Sequence, residues 1–520
     1  MEKAPNRLWM IALLLGWAAD FLFWGHPVGV NYAVFLALFL GGATWLLLSL
    51  GLRPARASLW LLLPVIFFTA MTLLRREPLS IFLAFAFSLF PFVLLVNTWR
   101  GGRWMQYGLL DYLKGGMKIL TGLLMLPVEY FIQLRKEREG QDASRRGIPV
   151  AAILRGLLIA LPILAIFATL LASADLVFAQ KLEDFFLLID FDGLTDNLDR
   201  LVLIVMYAYS FIGIFFLMAT HSTDKDLLSE TSPIKLRLGF TEASIVLGSV
   251  ILLFGFFVAI QFRYFFGGDA NIGVAGYTYS SYARRGFNEL VTVAFFSLIL
   301  ILGLSALTRR EDGRQKRIYS GLNLGIVGLV LVMLFSAYQR LMLAIDWHGY
   351  SRLRLYPRVF MIWLGILLLA VLVLEIMDRQ RHFAFAAVLA SLGFALTISL
   401  MNVDGAIVHH NVWRAVQGRH FNVSHLASLS SDAVPALADE FLSPSLPTEI
   451  REGVGAALVC QRAALEAEAQ TDWRAFHGSD WLAERALQDA QGELSGYHYK
   501  TIYGLARVRT PGNVVYYCRE

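Results

Sequence analysis

As far as Met401 the chain alternates between long apolar runs and short polar connectors. The runs 8–24, 31–50, 59–74, 79–97, 151–172, 199–219, 240–262, 287–307, 319–344, 359–376 and 383–401 are nearly free of charge. Each has about 16 to 25 residues, enough for a helix to cross a hydrocarbon core of roughly 30 Å. The pattern predicts an all-α polytopic membrane protein of about eleven transmembrane helices. A membrane β-barrel would show alternating segments of about ten residues, which are absent. The first run follows Lys3 and Arg7, and no small-residue cleavage site follows Trp24, so it reads as a retained span. The stretch "ILTGLLMLPVEYFI" (119–132) is apolar but short and contains Pro127 and Glu129, which reads as an interfacial or re-entrant segment; if it crosses instead, every later segment changes side.

The pattern changes at Asn402. Residues 403–417, 424–442, 446–470 and 480–495 read as helices. The last piece, rich in β-formers around "TPGN", reads as a small hairpin. Two domains follow: a multi-span domain, 1–401, and a C-terminal mainly helical extramembrane domain, 402–520, long enough for its own core.

Composition agrees with the membrane reading: 57% of residues are hydrophobic and 16% charged, against about a quarter charged in soluble proteins. The net charge of +5 would suggest nucleic acid in a soluble chain. Here the positive residues sit in short loops between spans, so no nucleic-acid partner is expected. One alternating set of loops is basic, with Arg53, Arg56, Arg135, Lys136, Lys235, Arg309, Arg310 and Arg379 among its members. The other set is poorer in Lys and Arg, and its segment 173–198 is acidic. The positive-inside rule then places the N-terminus in the cytoplasm and the tail outside. Arg75 and Arg76 run against this rule. The only two cysteines, Cys460 and Cys518, both lie in the tail, which predicts a disulfide in an oxidising compartment.

Five motifs carry a family resemblance: "ADFLFWGHPVG" (18–29), "YARRGFNELV" (282–291), "LRLYPRVFMIWL" (353–364), "NVDGAIVHHNVWR" (402–414) and "HLASLSSDAVPAL" (425–437). With these the chain resembles the domain-of-unknown-function family 4173 of bacterial membrane proteins. The resemblance implies an integral protein of the bacterial inner membrane and implies no activity.

The candidate chemistry is basic and lies on the predicted outer face. Arg284 and Arg285 precede a span, and Arg285 and Glu289 share a helical face at a spacing of four. Two readings stand for them: an ion pair with snorkelling to lipid phosphate, or an anion site, since guanidinium binds phosphate or carboxylate in a bidentate manner. Tyr277, Tyr279 and Tyr282 read as an interfacial belt or as the wall of such a site. Arg340, Arg352, Arg354 and Arg358, with Arg263, crowd the outer ends of spans seven to ten. In the tail, Asp404, Ile407, Asn411 and Arg414 fall on one helical stripe, and Asp404 is the carboxylate nearest to meet Arg284 or Arg285. Asp20 and Glu375 are carboxylates inside apolar runs, near span ends. His409, His410, His420 and His425 lack metal-site spacing, so no metal is expected. No Walker loop, GxSxG or kinase signature is present, so neither a cofactor nor a catalytic activity is assigned.

These features favour a binding, sensing or scaffold module whose tail docks on a basic outer rim. Membrane lipids surround it, and its partner is an envelope protein or an anionic ligand. Two alternatives remain open: a transporter or lipid-handling protein, and a membrane enzyme acting on a lipid-linked substrate with Asp404 or Glu289.

Overall fold

In a computed structural model the described residues are 5–139, 195–223, 238–265, 287–308, 312–379, 382–468 and 472–518, with isolated stretches between 160 and 182. The expected span 151–172 falls largely outside them, as do Tyr282, Arg284 and Arg285.

The apolar runs form helices α1 (Pro5–Phe23), α2 (Val30–Ser49), α3 (Leu62–Leu74, preceded by a helical turn, Arg56–Leu59), α4 (Pro78–Thr98) and α5 (Leu109–Glu139). They continue as α6 (Thr195–Thr220), α7 (Phe240–Phe265), α8 (Phe287–Leu307), α9 (Gly313–His348), α10 (Arg352–Ile376) and α11 (Phe383–Met401). Among the described residues, eight helical segments are long and apolar enough to cross a membrane. The chain is therefore a membrane protein by the length and composition of its helices, and the count of eleven spans is not reached. Their outward faces carry exposed large side chains such as Trp17, Phe82, Leu252 and Phe335. Exposed apolar stripes of this kind suit lipid, not water.

The stretch 119–132 is part of the 31-residue α5, which is not among the eight segments long and apolar enough to cross. Apolar length alone underestimated the helix, because polar flanks extend it on both sides. Gly213 lets α6 approach closely: a Cβ there would stand 2.8 Å from the Gly122 carbonyl of α5. Tyr209 donates to the Leu124 carbonyl and Lys118 to the His221 carbonyl across the same pair.

The helix ends form two rims. At one rim the connectors 50–55, 99–108, 221–223 and 238–239 meet: Ala55 N–H donates to Trp99, Arg100 N–H to Ser222, and Leu238 pairs with Thr308. At the other lie the connectors 24–29, 75–77 and 349–351 and the end of α11, and the C-terminal tail packs there. The tail and the start of α1 thus lie at opposite rims.

The tail follows α11 through one residue. Asn402 adopts a left-handed conformation (φ 46°) and caps α12 (Val403–Val416) by accepting from Gly405 N–H. Further helices are α13 (Val423–Ala427), α14 (Val434–Leu442), α15 (Thr448–Glu468) and α16 (Gly478–Ala490). The single helix expected over 424–442 is broken at 428–433, where serine hydroxyls bond to carboxylates outside the segment. The expected hairpin is a three-stranded antiparallel sheet: β1 (His498–Ile502), β2 (Leu505–Arg509) and β3 (Val515–Tyr517). "TPGN" joins β2 to β3. The missed first turn is Tyr503–Gly504, both with positive φ (51° and 78°), which suits a two-residue hairpin.

The apolar core of the tail is continuous with the helix ends beneath it. Ile407, Leu426, Leu437, Phe441 and Leu458 share one buried cluster with Phe68, Leu83, Leu355 and Ile398. Cys460 of α15 is disulfide-bonded to Cys518 beyond β3, closing 58 residues of chain. Closing a loop of this length stabilises by about 2–4 kcal/mol. We therefore expect Cys460→Ser/Cys518→Ser to lower the melting temperature of the tail by several degrees in detergent. Differential scanning fluorimetry with and without reductant checks this, and the double variant should no longer respond to reductant.

Candidate functional site

Four of the five sequence motifs meet where the tail sits on the rim. The segment 266–286, with the first half of the fifth, lies outside the described residues. Glu289 stands exposed in the first turn of α8.

The centre of the junction is Asp404, fully buried on α12. Arg352, at the start of α10, grips it with two parallel bonds of 2.8 and 2.5 Å. Ser430 adds its N–H at 2.8 Å and its hydroxyl at 2.6 Å. The carboxylate is thus fully provided with donors. Asp404 meets Arg352; the arginines of "ARRGF", the other expected partners, lie outside the described residues.

A second node involves Asp432, 4% exposed. One of its oxygens accepts from the N–H groups of Arg76 and Glu77, both at 2.8 Å, and the other from the Ser479 hydroxyl. Arg76 pairs with Asp480 at 2.6 Å, and Asp480 also takes the Ser431 hydroxyl. Glu77 caps α4 through Leu79 and Ser80 N–H and accepts from the Tyr356 hydroxyl. Of the three consecutive polar residues of "LSSDAVPAL", Ser430 donates to Asp404, Ser431 donates to Asp480, and Asp432 is itself the carboxylate of the second node. Asp432, Asp480 and Glu77 were not singled out from sequence; the signal available was the misplaced pair Arg75–Arg76, which called for acids on the same face.

Four other arginines at this rim, Arg75, Arg354, Arg414 and Arg474, share a physical cause. Helices α1, α9 and α11 end here, so their last carbonyls lack intrahelical donors and carry the negative end of the helix dipole. Arg474 donates to the Phe21 carbonyl of α1, Arg75 to Ser399 and Leu400 of α11, and Arg414 to Asp346 and Trp347 of α9. Arg354 donates to the Gly349 carbonyl just beyond α9. Gly349 itself has φ 77°, and a Cβ there would stand 2.4 Å from both the Arg414 guanidinium and the Asn411 oxygen. Asn411 holds the next residue from both sides, accepting from Tyr350 N–H and donating to Tyr350 C=O.

The first connector is held as well. Val30 N–H donates to the Phe476 carbonyl, and His26 faces Asp472 at 3.7 Å. Asp20 is buried against Arg200 of α6 at 2.7 Å, and Glu375 accepts from Asn323 on α9, so both in-span acids have polar partners. Arg340 lies within α9, eight residues before its end. Among the described residues no group of three or more His, Cys, Asp or Glu is placed to hold a metal.

Beside the Arg352–Asp404 pair lies an open cleft of about 620 Å³ between the α9–α10 connector and the tail, lined by Arg354, Asn411, Arg414, His348, His420 and His425 among others. Of these histidines, His420 and His425 entered the sequence reading only as residues without metal-site spacing, and His348 was not singled out. His425 is pushed below its usual pKa by burial and by Arg352, and burial together with Arg414 does the same to His410.

A family profile described as "Domain of unknown function (DUF4153)" matches residues 62–440. The chain belongs to this family. The narrower resemblance to family 4173 is not what the profile returns. Comparison with curated proteins and with solved structures returns no match. The DUF4153 region runs from α3 to α14, so it contains Glu77, Arg352, Asp404 and Asp432 and leaves out Asp480, the disulfide and the sheet.

The buried histidines give the junction a pH dependence. His477 is buried, donates toward the Thr72 carbonyl, and is held below its ordinary pKa by burial and by Arg76. His410, His425 and His477 bind protons less readily in the folded protein than in the unfolded chain, where the value is about 6.5. Their contribution is present above that value and is lost as pH falls through it toward the depressed folded values. Melting temperature should drop as pH falls below about 6.5, and His477→Gln should flatten part of that slope.

Proposed function

We propose that this DUF4153 protein is a bacterial inner-membrane binding or scaffold module. Its N-terminus faces the cytoplasm, and residues 402–520 form an extracytoplasmic domain locked onto the span ends. The observation that carries this reading is the convergence of motifs, far apart in sequence, on one buried polar junction. Asp404, Asp432, Asp480 and Glu77 each hold structural donors there. An enzyme using Asp404 as acid or base needs that carboxylate open to substrate, so the geometry favours a latch over catalysis.

Orientation is supported by three features. The basic loops alternate with the tail-side connectors, the described arginines Arg75, Arg76, Arg352, Arg354, Arg414 and Arg474 serve helix ends or tail acids, and the cysteine pair suits an oxidising compartment. The motif resemblance to family 4173 points to the same bacterial membrane setting.

The latch is tested by breaking it. Removing one partner of a buried ion pair costs about 3–5 kcal/mol, while replacing both by apolar residues costs less. Arg352→Ala and Asp404→Ala should each make the tail sensitive to limited proteolysis, and Arg352→Met/Asp404→Leu should be the more resistant. Unchanged resistance in both single variants would reject the latch. Orientation is read in spheroplasts with a membrane-impermeant maleimide. Gel shift at Cys460 and Cys518 after reduction of intact cells is expected; a shift seen only after lysis would reverse the assignment.

A further inference from the structure

Arg414 presents an unusual balance. It is 5% exposed, and among the described residues no carboxylate lies within ion-pair distance of it. Its two hydrogen bonds go to the carbonyls of Asp346 and Trp347, at 3.0 and 2.8 Å. Carbonyls satisfy donors without cancelling a full charge, and a buried charge without a counter-charge is costly. Burial and the neighbouring Arg419 both work against its positive charge, and only Asp346 opposes them.

The surroundings add to this imbalance. The cleft that Arg414 lines also carries Arg354, His348, His420 and His425, and none of its lining residues is acidic. The nearby acid Asp404 is already held by Arg352. The other lining groups are mostly amides and hydroxyls, among them Asn422 and Ser428. At about 620 Å³ the space exceeds what a lone inorganic anion needs, and the lining offers no aliphatic wall for an acyl chain.

We propose that this cleft binds a phosphate group carried on a hydroxylated body, with Arg414 and Arg354 supplying charge and the histidines and Asn422 supplying hydrogen bonds. Guanidinium and imidazolium donors match phosphate oxygens, and amides and hydroxyls match a polyol. The same chemistry occurs in an anionic glycerophospholipid headgroup and in a soluble phosphorylated polyol. The site rests on the docked tail, because Arg354 comes from α10 and Arg414 from α12.

The test uses the full-length protein with two probes. Glycerol 3-phosphate is titrated by calorimetry into protein in a neutral detergent. Separately, protein in nanodiscs of phosphatidylcholine, with or without phosphatidylglycerol, is examined by native mass spectrometry for retained lipid. Saturable binding of glycerol 3-phosphate assigns the site to a soluble ligand; selective retention of phosphatidylglycerol assigns it to a lipid headgroup. Either supports the proposal if the His348→Gln/His420→Gln variant, altered at two exposed positions, and Arg354→Gln weaken it by about tenfold or more. Limited proteolysis of the same samples separates the two readings: a variant with a protease-resistant tail and lost binding keeps the latch and establishes the cleft. The proposal is overturned if the wild-type protein, its tail resistant, binds neither probe, or if the variants bind as well as wild type.

Discussion

A carboxylate taken wholly out of water is the constraint on which the junction depends. Desolvating Asp404 and Arg352 costs several kcal/mol per ion, and only near-ideal geometry with further donors offsets it. The bidentate guanidinium and both donors of Ser430 provide that geometry. Meeting this demand fixes the start of α12 against the start of α10. It also draws residues 428–430 out of helical conformation and leaves 431–433 as a 3-10 turn, which sets where α14 begins. Asp432 then reaches the turn between α3 and α4, so one satisfied charge propagates order across three connectors.

The second organising principle is the polarity of helix ends. A rim where several helices terminate accumulates unsatisfied carbonyls and partial negative charge. Arginine is suited to it, because one planar group can serve two carbonyls and still pack its stem along apolar surface. This explains why residues that look misplaced by the loop-charge rule are stable where they are. Arg75 and Arg76 do not face water as loop charges: one closes the end of α11 and the other is paired to Asp480.

Much of the architecture was legible in the sequence because it rests on period and length. Apolar runs gave most of the long helices, eight of which are long and apolar enough to span among the described residues, and the change in pattern at Asn402 coincides with the join between α11 and α12. The cysteine pair could be matched because there were only two. What escaped was set by partners distant in sequence. The break inside 424–442 comes from Asp404 and Asp480, which no local pattern reveals. The turn at Tyr503–Gly504 was hidden because tyrosine is a poor signal for positive φ. At the site, Arg352, Arg354, Asp404, Asn411 and Arg414 were recognisable as an excess of polar residues near span ends. Their pairing was not, since it depends on which helix ends meet the tail, and the acids Asp432, Asp480 and Glu77 looked like ordinary caps and surface charges.

The single-residue join at Asn402 has a mechanical consequence. A flexible linker between α11 and α12 would absorb small motions of either helix. One residue held in a left-handed conformation, with its side chain tied to Gly405 and Asp432, leaves almost no slack. Tilt or rotation of α11 within the bilayer is therefore delivered to α12 as torque, and α12 acts as a stiff lever whose far end carries Arg414. Whatever displaces α11 must therefore either carry Arg414 with it or work against the bonds that hold Asn411 and Arg414 to the end of α9.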